Sequence, residues 1–386
     1  MNEASNEARR AIRHSIREVC ERFPSQYWRE LDRSGSYPDE LVRTLTELGY
    51  LSILIPEEYG GGGLGLVEAC IVLEEINRSG GNATACHAQM YTMAPLLRHG
   101  SEDLKRRYLP DIAAGKLRLQ AFGLTEPDAG SDSTRIKTTA VRRDDRYVIT
   151  GQKVFISRVL QSDLMVLVAR TTRLEEVERR TDGISLFVVD LRTAGKGLQV
   201  QPLEVMINHH TNMLFFDELE VPAVNLIGTE GAGFRHLLDG LNAERILVAS
   251  EAIGDGRWFV EKGARYASER EVFGRKIGAN QGVQFPIAQA HAQVEAASLM
   301  RDKAAAMFDA GESCGAEANT AKLLASQASW AAANACLAAF GGYGFAVEYD
   351  VERKFRETKL FETAPVSNNL ILAYIGQHVL GMPRSY

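Results

Sequence analysis

From about residue 120 to 222 the chain leaves helical spacing for a series of short apolar runs, and this block limits the fold more than any other feature. The runs are RYVITGQKVFIS, SDLMVLVAR, GISLFVVDL, LQVQPL and NMLFFDELEVP. Each is rich in Val, Ile, Phe and Leu and is bounded by Gly, Asp or Pro, as strands are. Arg143-Asp144-Asp145-Arg146 reads as a hairpin turn. No helical segment separates the runs, so a compact antiparallel sheet or barrel is expected rather than βαβ units.

Helical spacing dominates on both sides. Before the block, RAIRHSIREVCERF, PDELVRTLTELGYL and GLVEACIVLEEINRS carry apolar residues three and four apart. Pro38 suits a first turn, Gly49 closes that helix, and EEYGGGGLG is a loop. After the block, helical stretches span 233–269, 281–310, 316–340 and 366–380, Ala-rich and amphipathic, as in a bundle. The expected domains are 1–119 (helical), 120–228 (middle β) and 229–386 (C-terminal helical bundle), an α+β chain in α, β, α order.

At 386 residues there is room for two or three domains of roughly 100–200 residues each. Charged residues make up 24% and the net charge is −6, so no basic surplus argues for nucleic acid or an anionic membrane. The first residues mix acidic side chains with arginine, and neither a signal nor a transit peptide is expected. No apolar run of roughly 18–20 residues suggests a membrane span. Cys20, Cys70, Cys86, Cys314 and Cys336 are scattered without CxxC pairing, which reads as reduced thiols in a cytoplasmic protein with no metal site. Gly60–Gly63 and TEGAGF lack the spacing and βαβ context of a dinucleotide fingerprint. No HExxH, P-loop or GxSxG occurs.

GLTEPDAGSD, residues 123–132, stands at the helix-to-strand boundary. Taken alone it is a surface turn, or a rigid loop presenting hydroxyls and backbone N–H groups to a polar ligand. It closely resembles the signature of the acyl-CoA dehydrogenase family. Four further segments match in the same order: GSEDLKRRYLPDIAAGK, ITGQKVFIS, SEREVFGRKIGANQGVQ and FGGYGFAVEYDVERKFRETK. The resemblance implies an N-terminal helical domain, a middle antiparallel β-barrel and a C-terminal four-helix bundle. It also implies FAD and oxidation of an acyl-CoA thioester to 2-enoyl-CoA, with electrons passing to an electron-transfer flavoprotein.

Residue by residue, the resemblance puts Leu124 and Thr125 at the isoalloxazine edge, Phe155 against the ring and Ser157 near its redox nitrogen. Arg270, Phe273 and Gln281 would reach the FAD of a neighbouring subunit, and Gly341 and Gly342 would let that cofactor approach closely. A homo-oligomer follows, at least a dimer and commonly a tetramer, a dimer of dimers. Ser131 would face the CoA arm, and Asn242 and Arg245 the substrate. Ser367 and Asn369 fall at cofactor-contact positions of a C-terminal loop. Each placement has a plain rival: Phe155 between Val154 and Ile156 reads equally as core, and Arg270 as a solvated charge.

Dehydrogenation needs a carboxylate within roughly 3 Å of the substrate Cα. In most of the family that acid is on the C-terminal loop, but here its position is Pro365, which can neither take a proton nor donate an N–H. Glu362 stands three positions early. Glu244 shares a stripe with Leu237, Leu241 and Val248, at helical spacing on an otherwise apolar face. A glutamate so placed usually pairs with a buried arginine. The family's isovaleryl- and long-chain-type branches instead put the base there, in an E-R segment that Glu244-Arg245 matches. Val366 N–H then becomes the expected replacement donor to the thioester oxygen. Arg135 and Arg158 replace smaller residues, and each is either solvated or paired with a CoA phosphate or substrate carboxylate. Ala338 puts one inter-subunit contact in doubt. The competing readings are a flavoprotein of the same fold with other chemistry (oxidase, desulfinase or monooxygenase) and a helical scaffold that has lost FAD.

Overall fold

A computed structural model describes residues 3–385. In chain order the helices are α1 (Glu3–Glu21), α2 (Ser25–Ser34), α3 (Asp39–Glu47), α4 (Leu66–Arg78), α5 (Thr84–Thr92), α6 (Ala94–His99) and α7 (Glu102–Ala113). The strands follow: β1 (Leu119–Gly123), β2 (Thr139–Arg143), β3 (Arg146–Ser157), β4 (Leu164–Arg170), β5 (Ile184–Asp190), β6 (Leu198–Pro202), β7 (Thr211–Pro222) and β8 (Leu226–Ile227). The long α8 (Gly233–Glu269) leads through a small hairpin, β9 (Glu271–Val272) and β10 (Arg275–Lys276), into α9 (Gln281–Asp309) and α10 (Gly315–Phe340). The chain closes with α11 (Val351–Lys359) and α12 (Asn368–Tyr374). It divides into two compact units, one formed by residues up to Ser36, Gly65–Thr84 and Asn242 onward, the other by Tyr37–Leu64 and Ala85–Leu241.

The sheet lies in the second unit. Its order is β6-β7-β3-β2-β4-β5-β8, with β1 added beside β4. The expected antiparallel barrel is corrected in two respects. The order has two ends, β6 and β8, and the sheet is mixed, because β1 and β2 both run parallel to β4. The cause is topological: β2 and β3 form a local hairpin across the Arg143/Arg146 turn, and β4 then re-enters beside β1. SDLMVLVAR lacks polar alternation because β4 is buried on both faces. Leu164, Val166 and Val168 join a cluster with α7 residues Leu104, Leu109 and Ile112, while Met165, Leu167 and Ala169 join one with β3 and β7.

In the first unit α10 packs on α9 and α11, and α4 on α1 and α9. Glu74 of α4 is fully buried and bonded by Arg301 of α9 at 2.7 Å and Arg257 of α8 at 2.5 Å. Burial opposes its charge, but these cations outweigh that and hold its pKa down to about 2. Gly315–Phe345 is, by length and composition, long and apolar enough to cross a membrane, a length the sequence reading did not count. Alanine supplies that hydropathy, and 50% of the window is buried inside the protein. All five cysteines are buried thiols.

Candidate functional site

In the second unit the loop 123–132 is held from below by an ion pair between buried groups. Lys153 Nζ donates to Glu126 Oε1 at 2.8 Å and to the Leu124 carbonyl at 2.9 Å. Glu126 also accepts from the N–H groups of Lys137 and Thr138, at 2.6 and 3.0 Å. Burial outweighs the attraction of Glu126 and lowers the Lys153 pKa to about 8, while Lys153 and these donors overcome burial to lower that of Glu126. Val154 N–H bonds the Thr125 carbonyl at 2.9 Å, so the loop and β3 move as one piece. Sequence reasoning assigned no role to Lys153 or Glu126. The available signal was parity, since Lys153 alternates in step with the buried Tyr147 and Ile149 of the same strand.

The register of β3 against β7 breaks between Lys153 and Ile156. This bulge puts Phe155 in the left-handed region, φ 59°, and turns its ring outward. Phe155 is 61% exposed between buried Val154 and Ile156, so its reading as core is overturned. Thr125 and Ser157 are half-buried beside it in sequence and sheet, and neither hydroxyl has a hydrogen-bond partner among the described residues. Ser131 and Arg135 are exposed. Arg158 is not solvated: it is 3% exposed, has φ 59°, and lies at 3.3 Å from His209 Nδ1.

In the first unit Glu244 sits on α8 at 6% exposure, as its stripe implies; Leu237 and Val248 are likewise buried and Leu241 half-buried. Burial raises the Glu244 pKa to about 8, opposed only by the neighbouring Arg245 charge. No hydrogen bond or ion pair engages its carboxylate among the described residues. Arg245 turns instead to Asn242, with Nη1 at 3.0 Å from Oδ1. Glu362 is taken by an ion pair with Lys359, which disqualifies it as an available base.

The C-terminal loop is organised by Lys322. This buried side chain donates to the Val366 carbonyl at 2.7 Å and to Asn368 Oδ1 at 3.1 Å. Burial lowers its pKa to about 7. Sequence reasoning missed it, because a lysine inside an alanine-rich helix reads as surface. Ser367 caps α12 by accepting from Leu370 N–H at 3.4 Å, and Asn369 is exposed. Val366 N–H has no acceptor among the described residues.

Further along the same unit, Phe273 stands at the tip of the β9–β10 hairpin, fully exposed with φ 53°. Arg270 at the hairpin's base lies 5.8 Å over the Tyr343 ring, joining it to the Gly341–Gly342 segment. Gly341 has φ 57° and ψ −133°, a conformation that favours glycine, and a Cβ on either glycine would meet nothing within 4 Å. Gln281 opens α9 and is exposed.

Three family models cover nearly the whole chain. Those for the acyl-CoA dehydrogenase N-terminal, middle and C-terminal domains match residues 6–116, 121–219 and 231–380. The chain belongs to the acyl-CoA dehydrogenase family. It is 36% identical over 384 residues to acyl-CoA dehydrogenase FadE12 of Mycobacterium tuberculosis, covering 99% of this chain and 98% of that one. The glutaryl-coenzyme A dehydrogenase structure with glutaryl-CoA matches with TM-score 0.91 at 31% identity, covering 100% of this chain and 97% of that one. A chain from a structure described as the electron transferring flavoprotein of Acidaminococcus fermentans matches with TM-score 0.91 at 31% identity, covering 98% of each. The protein is therefore an oxidoreductase acting on acyl-CoA, in a family that depends on FAD. The residues present fit that group: in the second unit an outward-turned aromatic ring with two unengaged hydroxyls beside it suits a flat heteroaromatic with a polar edge, and in the first unit an uncovered glycine backbone suits the close approach of a polar tail.

Proposed function

We propose that the chain is an acyl-CoA dehydrogenase of the isovaleryl-type branch, converting an acyl-CoA thioester to its 2-enoyl-CoA with Glu244 as the base. The state of Glu244 carries the reading: a buried carboxylate, unengaged by described residues, with its pKa raised to about 8. A base so tuned is matched to a weakly acidic C–H near neutral pH, whereas an ordinary carboxylate is too weak. When bound, FAD supplies the two-electron acceptor for the β-hydrogen.

The α-proton moves to a Glu244 carboxylate oxygen. Negative charge then develops on the thioester oxygen and calls for hydrogen-bond donors. Pro365 has no N–H, so Val366 N–H is the donor in this account, with Lys322 fixing residue 366 through its carbonyl. Leu124, Thr125 and Ser157 hold the polar edge of the flavin and Phe155 its face. Ser367 and Asn369 also belong to the cofactor site, Ser131 to the CoA arm, and Asn242 and Arg245 to the substrate. Arg270, Phe273, Gln281, Gly341 and Gly342 take the cofactor of a neighbouring copy, which makes the protein a homo-oligomer of at least two copies, with a dimer of dimers as the arrangement common in the family. Phe273 is fully exposed at the hairpin tip, so its ring is open to a neighbouring copy. Electrons leave to an electron-transfer flavoprotein.

Turnover of an acyl-CoA panel with an artificial electron acceptor tests the reading, with the thioester product analysed by mass. Loss of two hydrogens is expected. A hydroxylated product, or peroxide formation without another acceptor, would replace it with monooxygenase or oxidase chemistry.

A further inference from the structure

Arg158 follows Ser157 directly, yet the dehydrogenase reading gives it no task. Its backbone is left-handed, at φ 59° and ψ 28°, and is held there by bonds on both sides. Its N–H donates to the His210 carbonyl at 2.8 Å, and Ser162 Oγ donates to its carbonyl at 2.7 Å. Those bonds fix the backbone, and the residue as a whole is 3% exposed within the second unit.

The imidazole of His209 contacts the Arg158 guanidinium, and that of His87 lies within reach of its charge. A guanidinium only donates, so His209 Nδ1 accepts from Nη2 and the ring proton of His209 is on Nε2. Burial first, then the Arg158 charge, lowers the pKa of His87 to about 3 and that of His209 well below its usual value. Both rings therefore stay neutral, and the fixed positive charge resides on Arg158.

An aromatic row leads to this charge from the signature loop. Phe122, two residues before Leu124, meets the Tyr91 ring edge-on at 5.8 Å, and Tyr91 lies 4.7 Å from the His87 ring. All three are only half-buried. A chain lying along the row would pass over an apolar wall and end at a cation. A phosphate of CoA carries more charge and keeps its water, which suits a surface site. A single planar carboxylate matches the guanidinium fork and tolerates burial when paired.

We propose that Arg158, with His87 and His209, binds a carboxylate at the far end of the acyl chain, making the substrates CoA monothioesters of dicarboxylic acids. This rests on the dehydrogenase reading above. The test uses the FAD-loaded protein and two pairs of five-carbon thioesters, one member of each ending in a carboxylate and the other in a methyl group. Glutaconyl-CoA and 2-pentenoyl-CoA, the dehydrogenation products, report binding by calorimetry. Glutaryl-CoA and pentanoyl-CoA report anaerobic flavin bleaching.

The wild type is expected to bind glutaconyl-CoA at least tenfold more tightly than 2-pentenoyl-CoA. Arg158→Gln should abolish that preference, and Arg158→Lys should keep part of it. Equal affinities in the wild type overturn the proposal whether or not either variant folds, as does a preference that survives Arg158→Gln. Free CoA competing as strongly as glutaconyl-CoA, through Arg158, would reassign the residue to a phosphate and also overturn it. Bleaching by pentanoyl-CoA without a carboxylate preference leaves the dehydrogenase reading standing and removes only this inference. Absence of bleaching and binding with every thioester removes both.

Discussion

Glu244 occupies surroundings that oppose its charge, and two consequences follow at the residue scale. The ionised form is the active base, so kcat/KM for proton abstraction should rise with pH and level off above about 8. Stability should run the other way. The folded pKa, about 8, lies above the ordinary value of 4.5, so the stabilising contribution is full below 4.5 and is lost as pH rises through 8. Glu244→Gln should therefore melt above the wild type at pH 9, with the gap closing toward pH 4. Thermal unfolding across that range checks it, and a pH-independent gap would count against a perturbed carboxylate at this position. Glu244 was legible because its spacing on an apolar stripe is local information. Lys322 and Lys153 were not, because whether a lysine is buried depends on partners far along the chain, such as Val366 and Glu126.

Among the elements, β3 was read from Arg146 to Ser157 with its true ends, and β4 to β7 were found from their apolar runs. β1 and β2 were missed: LQAFG directly follows helical spacing, and TAVRR has an exposed half that looks like loop. Their parallel pairing with β4 lies outside what periodicity can report, since strand neighbours are set by topology. The bulge that turns Phe155 outward was equally hidden, because alternation alone places that residue with a core pair. The buried pair beneath the signature loop gives a prediction at this scale. Lys153→Met leaves the Glu126 carboxylate buried without its cation, which should cost about 3–5 kcal/mol and reduce FAD content. Adding Glu126→Gln should recover part of the stability. Denaturant unfolding and flavin absorbance of Lys153→Met, Glu126→Gln and the double variant measure the coupling, and additive losses would show that the pair does not hold the loop.

At the scale of the whole molecule, α, β, α order and five ordered motifs were enough to place the chain in its family. Assembly is a matter of surface complementarity, which one sequence does not display. The exposed hairpin tip carries the corresponding prediction: Phe273→Asp should lower the oligomeric mass seen by light scattering and lower FAD retention in parallel. A tetramer that keeps its flavin would separate Phe273 from both. The central claim is that a helix-borne glutamate does the work usually given to the loop where Pro365 now stands. The most direct measurement is anaerobic titration of FAD-loaded wild type and Glu244→Gln with an acyl-CoA panel, followed by flavin absorbance. Both proteins should be yellow, and a thioester that bleaches the wild type should leave Glu244→Gln oxidised. Equal bleaching of the two would contradict the account.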